Sequence, residues 1–137
     1  MQHNLNISVV IPVYNEEQRL PNNLEKIIAY LEEFQYNFEL ILIDDGSTDS
    51  TWAICQSYQK KYAFVKLFKH PNNLGKGAAV RTGMLASTNE LVLMTDCDLS
   101  TPMDELPVLL KYINEFDIVI GSRRLKEKKI EQPTARF

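Results

Sequence analysis

Asp96 and Asp98 stand one residue apart where the apolar run 91–95 ends, inside the stretch ELVLMTDCDLSTP. If that run is extended, alternation sends both carboxylates to one side, ~7 Å apart at the rise of a strand, and Cys97 to the other. At an effective dielectric near 20, two like charges at that distance repel by roughly 2 kcal/mol, so the pair needs a proton, a cationic side chain or a metal ion nearby. A hard divalent cation fits this demand. Mg²⁺ and Mn²⁺ take oxygen ligands, and Mg²⁺ commonly uses one or two carboxylates together with the phosphates of a bound substrate. The chemistry open to such a pair is metal-assisted handling of a diphosphate. A D-x-D on its own is equally compatible with a helix start, in which Asp98, Ser100 and Thr101 cap a helix beginning near Pro102.

Three further polar clusters follow apolar runs: Tyr14-Asn15-Glu16, Asp44-Asp45-Gly46-Ser47 and Gly121-Ser122-Arg123. Gly75-Lys76-Gly77-Ala78-Ala79, with Arg81 one turn on, can offer backbone N–H groups and an ammonium to a phosphate at a helix start, and the same residues equally describe a solvated one. No G-x-G-x-x-G follows the first run, where PVYNEE stands instead, and the Gly75-Lys76 segment lacks both the leading glycine and the hydroxyl residue of a P-loop. A receiver domain, with an aspartate phosphorylated beside Mg²⁺, would use Asp44-Asp45 but leaves the Tyr14–Glu16 and Arg123 clusters without a role. His3 and His70 read as surface residues, and neither Cys55 nor Cys97 reads as catalytic.

The elements that must position these groups are legible from periodicity. Residues 7–13 form a β-branched run and read as a strand buried on both faces of a parallel sheet. Pro21 suits a first helical turn, and Leu24, Ile27, Ile28, Leu31 and Phe34 make the apolar stripe of a helix over 21–34. A second strand covers 38–43, and Ser47 or Asp49 caps a helix burying Trp52, Cys55, Tyr58 and Tyr62. A third strand at 65–68, a helix at 75–86 with small residues on one side, and the strand 91–95 follow. Beyond Pro102 the pattern gives a helix through Leu106, Leu109, Leu110 and Ile113, then a fifth strand over 117–120. Alternating strands and helices imply an α/β fold, a doubly wound and mostly parallel central sheet flanked by helices. Ligands in such sheets bind outside the carboxyl ends of the strands where the strand order reverses, and the acidic clusters fall at those ends.

Composition sets the outer limits. With 137 residues, the chain is expected to be one domain over 1–123, followed by a charged, mobile segment over 124–137. A hydrophobic share of 45% and a net charge of −3 suit an ordinary globular protein and give no reason to expect nucleic acid as a partner. Two cysteines far apart, Cys55 and Cys97, indicate a reduced, cytosolic setting. No apolar run approaches the ~20 residues needed to cross a bilayer.

Taken in order, Pro12-Val13-Tyr14-Asn15-Glu16-Glu17, Asp44-Asp45-Gly46-Ser47, Gly75-Lys76-Gly77-Ala78-Ala79-Val80-Arg81, Asp96-Cys97-Asp98 and Gly121-Ser122-Arg123 resemble the family-2 glycosyltransferases, which have a GT-A nucleotide-sugar-binding fold. Within that family the motifs look most like those of polyprenyl- and dolichyl-phosphate glucosyltransferases. The resemblance implies that Pro12, Tyr14, Glu16, Ile43 and Asp45 surround the base and ribose. It implies that Asp96, Cys97 and Asp98 meet the ribose-diphosphate and metal, with Asp98 and Asp96 as ligands of Mg²⁺ or Mn²⁺. Lys76, Arg81 and Arg123 would then face phosphates, Arg123 among the catalytic groups with the two aspartates. Cys97 stands where relatives often carry alanine and would serve as a small apolar filler.

The function so implied is inverting transfer of a hexose from a nucleotide-diphosphate sugar, UDP-glucose favoured, to a polyprenyl or dolichyl phosphate. GDP-mannose as donor, or a glycan hydroxyl as acceptor, is the alternative within the family. A nucleotide-sugar-binding module without transfer is the alternative outside enzymes. Family members continue past G-S-R into an acceptor-side segment, so the chain is expected to be a donor-binding fragment truncated at its C-terminus. Any peripheral membrane association, at a cytoplasmic face, would come through that missing segment.

Overall fold

The computed structural model describes residues 5–100 and 102–121, which fall into two compact units meeting in sequence at Thr101–Pro102. Each is described on its own.

The first unit is a four-stranded parallel sheet with helical crossovers. Strand β1 (Asn6–Val13) leads through helix α1 (Leu20–Glu33) to β2 (Asn37–Asp44), then through α2 (Thr51–Lys61) to β3 (Val65–Lys69). Helix α3 (Lys76–Ala86) then returns the chain to β4 (Leu91–Met94). The strand order is β3-β2-β1-β4 and every pairing is parallel, with Val9 opposite both Leu40 and Leu93. The order reverses between β1 and β4, which places the switch point at the carboxyl ends of those two strands.

Both faces of the central strands are covered, so β1 and β2 read as near-continuous apolar runs. Val10, Ile41 and Ile43 are fully buried on the face packed against Ala79 of α3. Val9, Ile11, Leu40 and Leu42 on the other face are equally buried. Helix α3 lies so close that a Cβ on Gly83 would come within 2.3 Å of Val10 Cγ1 and 2.6 Å of Ile43 Cδ1, which accounts for a glycine in mid-helix. Helix α1 buries Leu20, Leu24, Ile27, Ile28 and Leu31 with Pro21 in its first turn, while Phe34, expected on that stripe, is 49% exposed at the C-cap. The Tyr58 hydroxyl of α2 lies 3.1 Å from the Pro21 carbonyl and 2.9 Å from a Glu25 carboxylate oxygen, tying α2 to α1.

The second unit departs from expectation. A 3-10 turn, Met103–Glu105, runs into helix α4, Leu106–Leu110, which ends three residues before Ile113. So short a helix has little propagation to offset its nucleation cost, and the chain goes on through turns such as Tyr112 N–H to Leu109 C=O. The expected strand at 117–120 does not form: Ile118 and Ile120 are exposed and no partner strand lies beside them among the described residues. β-branched residues favour a strand only where a neighbour completes the ladder. Arg123 and the segment 124–137 lie outside the described residues. No described helix is long and apolar enough to cross a membrane.

At the amino ends of the strands a buried charge fastens the sheet together. Glu39, 7% exposed on β2, accepts hydrogen bonds from Ser8 Oγ of β1, from the Thr88 backbone N–H and hydroxyl ahead of β4, and pairs with Lys66 of β3. Burial alone would raise its pKa; the Lys66 ammonium and the donated hydrogen bonds outweigh it and bring the value down to about 2. A folded-state pKa below the unfolded one contributes stability that is present above the unfolded value and is lost as pH falls through the folded one. That shift corresponds to about 3 kcal/mol at neutral pH. Glu39→Gln is expected to lose about that much in urea unfolding at pH 7 and to show a flatter decline than the parent between about pH 5 and pH 2.

Candidate functional site

The loops at the carboxyl ends of β1 and β2 are zipped to each other by short polar side chains. Asn15 takes a left-handed turn (φ 49°), a conformation asparagine tolerates; its N–H donates to Ser47 Oγ (2.9 Å) and its Oδ1 accepts from the Thr48 N–H (2.8 Å). The Glu16 N–H donates to Thr51 Oγ1 (2.8 Å), and Glu17 accepts from the Ser50 N–H (3.0 Å). Asp44 accepts the Ser47 N–H through Oδ1 (2.9 Å) and is fully buried, its Oδ2 without a partner. Much of N-E-E and D-D-G-S-T-D thus builds the rim of the site rather than facing into it.

Asp45 organises the next loop. It is 3% exposed, its Oδ1 lies 2.7 Å from His70 Nδ1 and accepts the Leu74 N–H (3.0 Å), and its Oδ2 accepts the Gly75 N–H (2.9 Å). Burial pushes its pKa up, and the hydrogen bonds from His70, Leu74 and Gly75 more than reverse this, so the carboxyl sits below its usual range. His70 is buried, contrary to its reading as a surface residue. A histidine after a strand carries no periodic signal for burial, and its partners Asp45 and Thr82 come from two other elements. The loop passes directly over Gly46, where φ is +76°.

The D-C-D segment is a turn, not an extended continuation of β4. The ladder reaches Thr95, whose N–H donates to the Val10 carbonyl (3.1 Å); the Leu99 N–H then closes on the Asp96 carbonyl (3.2 Å), with Leu99 at φ 53°. Cys97 still points inward at 3% exposure, while Asp96 is half-buried and Asp98 exposed. The placement of these three residues is therefore set by turn geometry and not by strand alternation. Asn23 of α1 fixes the turn from behind, its side-chain amide donating to the Cys97 carbonyl (2.7 Å). Asp98 does not act as a helix cap: it accepts the Ser100 N–H (3.0 Å) in a local Asx turn. That bond is the main cause of its lowered pKa, with the charges of Arg19 and Lys76 adding to it. Burial drives the Cys97 thiol up to about 12, which leaves it an inert filler at neutral pH.

These loops enclose an open cleft of about 360 Å³. Pro12, Tyr14 and Glu16 line it from β1, Asp45 from β2, Lys76 and Ala79 from α3, and Asp96, Cys97 and Asp98 from the turn after β4. Ile43 is not brought there; it is fully buried under Gly83. Arg81 is exposed and does not line the cleft either. Lys76 Nζ lies 2.5 Å from Asp96 Oδ1, so an ammonium meets one of the two acids. Arg19, unremarked in the sequence, forks onto Glu16 through Nε and Nη2 (2.8 and 2.7 Å), an i,i+3 pairing that spacing could have suggested. The Asn23 contact spans 74 positions and left no such trace.

Whether these residues suit a divalent metal can be judged from the donor set. Among the described residues no three His, Cys, Asp or Glu side chains converge, so those residues supply at most the two hard carboxylates Asp96 and Asp98. Such a set fits Mg²⁺ or Mn²⁺ completed by substrate phosphates and water, and Asp96 already has a cationic partner in Lys76.

Three comparisons bear on this geometry. The family model described as Glycosyl transferase family 2 matches residues 8–136. A dolichyl-phosphate beta-glucosyltransferase of Trichomonas vaginalis, ALG5A, is 39% identical over 96% of this chain, which spans 44% of that relative's length. The mannosyltransferase PcManGT of Pyrobaculum calidifontis, solved with GDP-Man and Mn²⁺, superposes with a TM-score of 0.69 over 86% of this chain and 35% of its own, at 24% identity, and supports the fold alone. Glucosyl-3-phosphoglycerate synthase of Mycobacterium tuberculosis, solved with UDP, gives 0.60 at 26% identity over 82% of this chain and 41% of its own.

A Cβ on Gly46 would stand 2.4 Å from the Asn72 carbonyl carbon and 2.6 Å from the Asn73 nitrogen, both backbone atoms. Gly46→Ala is therefore expected to cost about 2–4 kcal/mol in urea unfolding, through the clash and the positive φ together.

Proposed function

The chain belongs to glycosyl transferase family 2, and from that premise we propose that it serves the transfer of a hexose from a nucleotide-diphosphate sugar, UDP-glucose favoured, to a polyprenyl or dolichyl phosphate, with inversion and with Mg²⁺ or Mn²⁺. The observation that carries this reading is the juxtaposition, in one cleft at the β1/β4 switch point, of the Asp96–Asp98 pair with Lys76. The chain spans 44% of the length of the T. vaginalis relative, and in this reading it carries the donor side of such a site.

In this reading Pro12, Tyr14 and Glu16 form the side of the cleft that receives the base and ribose. Asp45, already holding three donors in the structure, can only accept, so the group it meets must be an N–H or O–H of the nucleotide. Asp96 and Asp98 would hold the metal, which when bound neutralises the charge that builds on the departing diphosphate. Lys76, which lines the same cleft and reaches Asp96, would face the same phosphates. Arg123 is assigned to the phosphates as well.

No general base is needed for a lipid-phosphate acceptor, whose oxygen is anionic at pH 7. His70 is in no position to act as one, since it is buried with both ring nitrogens engaged. With a lipid phosphate as acceptor and a nucleotide sugar as donor, we propose a cytoplasmic location, at the cytoplasmic face of a membrane.

Calorimetric titration with UDP-glucose and with GDP-mannose, each with Mn²⁺, Mg²⁺ or EDTA, tests donor and metal together. One donor, UDP-glucose, is expected to bind in a metal-dependent way, and Asp98→Asn to weaken that binding by about tenfold or more. Binding indifferent both to EDTA and to Asp98→Asn would sink the assignment of the acidic pair, and a preference for GDP-mannose would replace the donor.

A further inference from the structure

From Asp45 at the cleft a line of side chains runs back through His70 to Thr82, and the proposed chemistry uses neither His70 nor Thr82 directly. His70 follows β3 and is 8% exposed; its backbone N–H donates to the Asp44 carbonyl (2.9 Å), which fixes the residue at the end of the sheet. Its ring spans two neighbours, with Nδ1 2.7 Å from Asp45 Oδ1 and Nε2 2.8 Å from Thr82 Oγ1 on the second turn of α3. Asp45 lines the cleft, whereas His70 and Thr82 do not.

The proton positions in this line follow from the partners. An ionised carboxylate only accepts, so Nδ1 carries a proton toward Asp45. Thr82 Oγ1 also lies 3.1 Å from the Ala78 carbonyl. Its hydroxyl can therefore donate to Ala78 and accept from Nε2–H, or donate to Nε2 itself. In either arrangement the Nδ1–H bond to Asp45 is kept. With His70, Leu74 and Gly75 as donors, Asp45 has about one of its roughly four acceptor positions left. The same carboxylate also holds the loop ahead of α3, whose first residue Lys76 reaches Asp96.

The geometry points to His70 as a positioning residue for nucleotide binding: the imidazole, braced on Thr82, fixes the Asp45 carboxylate so that its remaining acceptor position meets an N–H or O–H of the bound nucleotide. This inference rests on the reading of the cleft as a nucleoside-diphosphate site. His70 touches no substrate in it and acts through Asp45 alone.

Substitutions separate the two ends of the ring. In His70→Asn the side-chain amide nitrogen comes near the place of Nδ1 and can donate to Asp45, whereas in His70→Gln it reaches toward Thr82 in place of Nε2. UDP binding in the presence of Mn²⁺ is measured by calorimetry on the 137-residue chain and on His70→Ala, His70→Asn and His70→Gln, each with its thermal unfolding followed by circular dichroism. His70→Asn is expected to stay within about threefold of the parent, and His70→Ala and His70→Gln to lose about tenfold or more, the worth of a buried hydrogen bond to a charged group. Should His70→Ala not fold, the contrast between Asn and Gln decides alone. Equal affinities for parent and all variants, or losses that follow the melting temperatures and not the presence of a donor at Asp45, overturn the inference while leaving the nucleotide site standing. Absence of UDP binding by the parent chain would overturn the reading of the cleft, and the inference with it.

Discussion

Like charge held at the end of a strand is the constraint on which the rest of this structure depends. Asp96 and Asp98 lie on one turn lining one cleft, and two carboxylates so placed favour a cation beside them. Lys76 supplies that cation here, and it can do so only because α3 begins where it does. The start of α3 is set by Gly75, whose N–H is held by Asp45, and the closeness of the helix to the sheet is set by Gly83 against Val10 and Ile43. The parallel sheet sets the remaining placement. Its crossovers bring β4 beside β1 instead of beside β3, which puts the acidic turn opposite Pro12, Tyr14 and Glu16.

The conspicuous polar residues divide into two trades. Asn15, Ser47, Thr48, Thr51 and Asp44 satisfy backbone and side-chain groups of the loops themselves, so their role is to hold a rim in shape. Glu16, Asp45, Lys76, Asp96 and Asp98 line the cleft. Asp45 does both, since it faces the cleft while anchoring the loop from His70 to Gly75. Rigid support of this kind matters because binding and transfer both reward groups already in place, and orientation alone can account for several kcal/mol of a barrier.

Most of the architecture was legible in the sequence because it rests on local periodicity. β-branched runs such as 7–13 and the i, i+3, i+4 stripe of α1 declare themselves without neighbours, and acids at strand ends follow once the strands are parallel. What escaped depends on partners far away in the chain. His70 looked exposed because nothing near it in sequence reveals Asp45 and Thr82, and Glu39 is a charge buried by contacts 27 to 49 positions away. Residues 117–120 have the composition of a strand, yet composition cannot supply the neighbour that makes one. Ile43 and Arg81 carry the family's pattern but face, respectively, the core and solvent.

In the proposed function the acidic turn after β4 gathers a divalent metal and a nucleoside diphosphate in one cleft with Lys76. Paramagnetic broadening tests it most directly: amide spectra of the ¹⁵N-labelled chain are recorded with UDP and Mg²⁺, then with small additions of Mn²⁺. The expected result is selective loss of the signals of Asp96, Cys97 and Asp98, followed by those of Lys76 and the Tyr14–Glu16 loop, with the amides of Glu39 and Thr88 at the opposite ends of the strands untouched. Broadening centred elsewhere in the sheet, or no selective broadening at all, would contradict it.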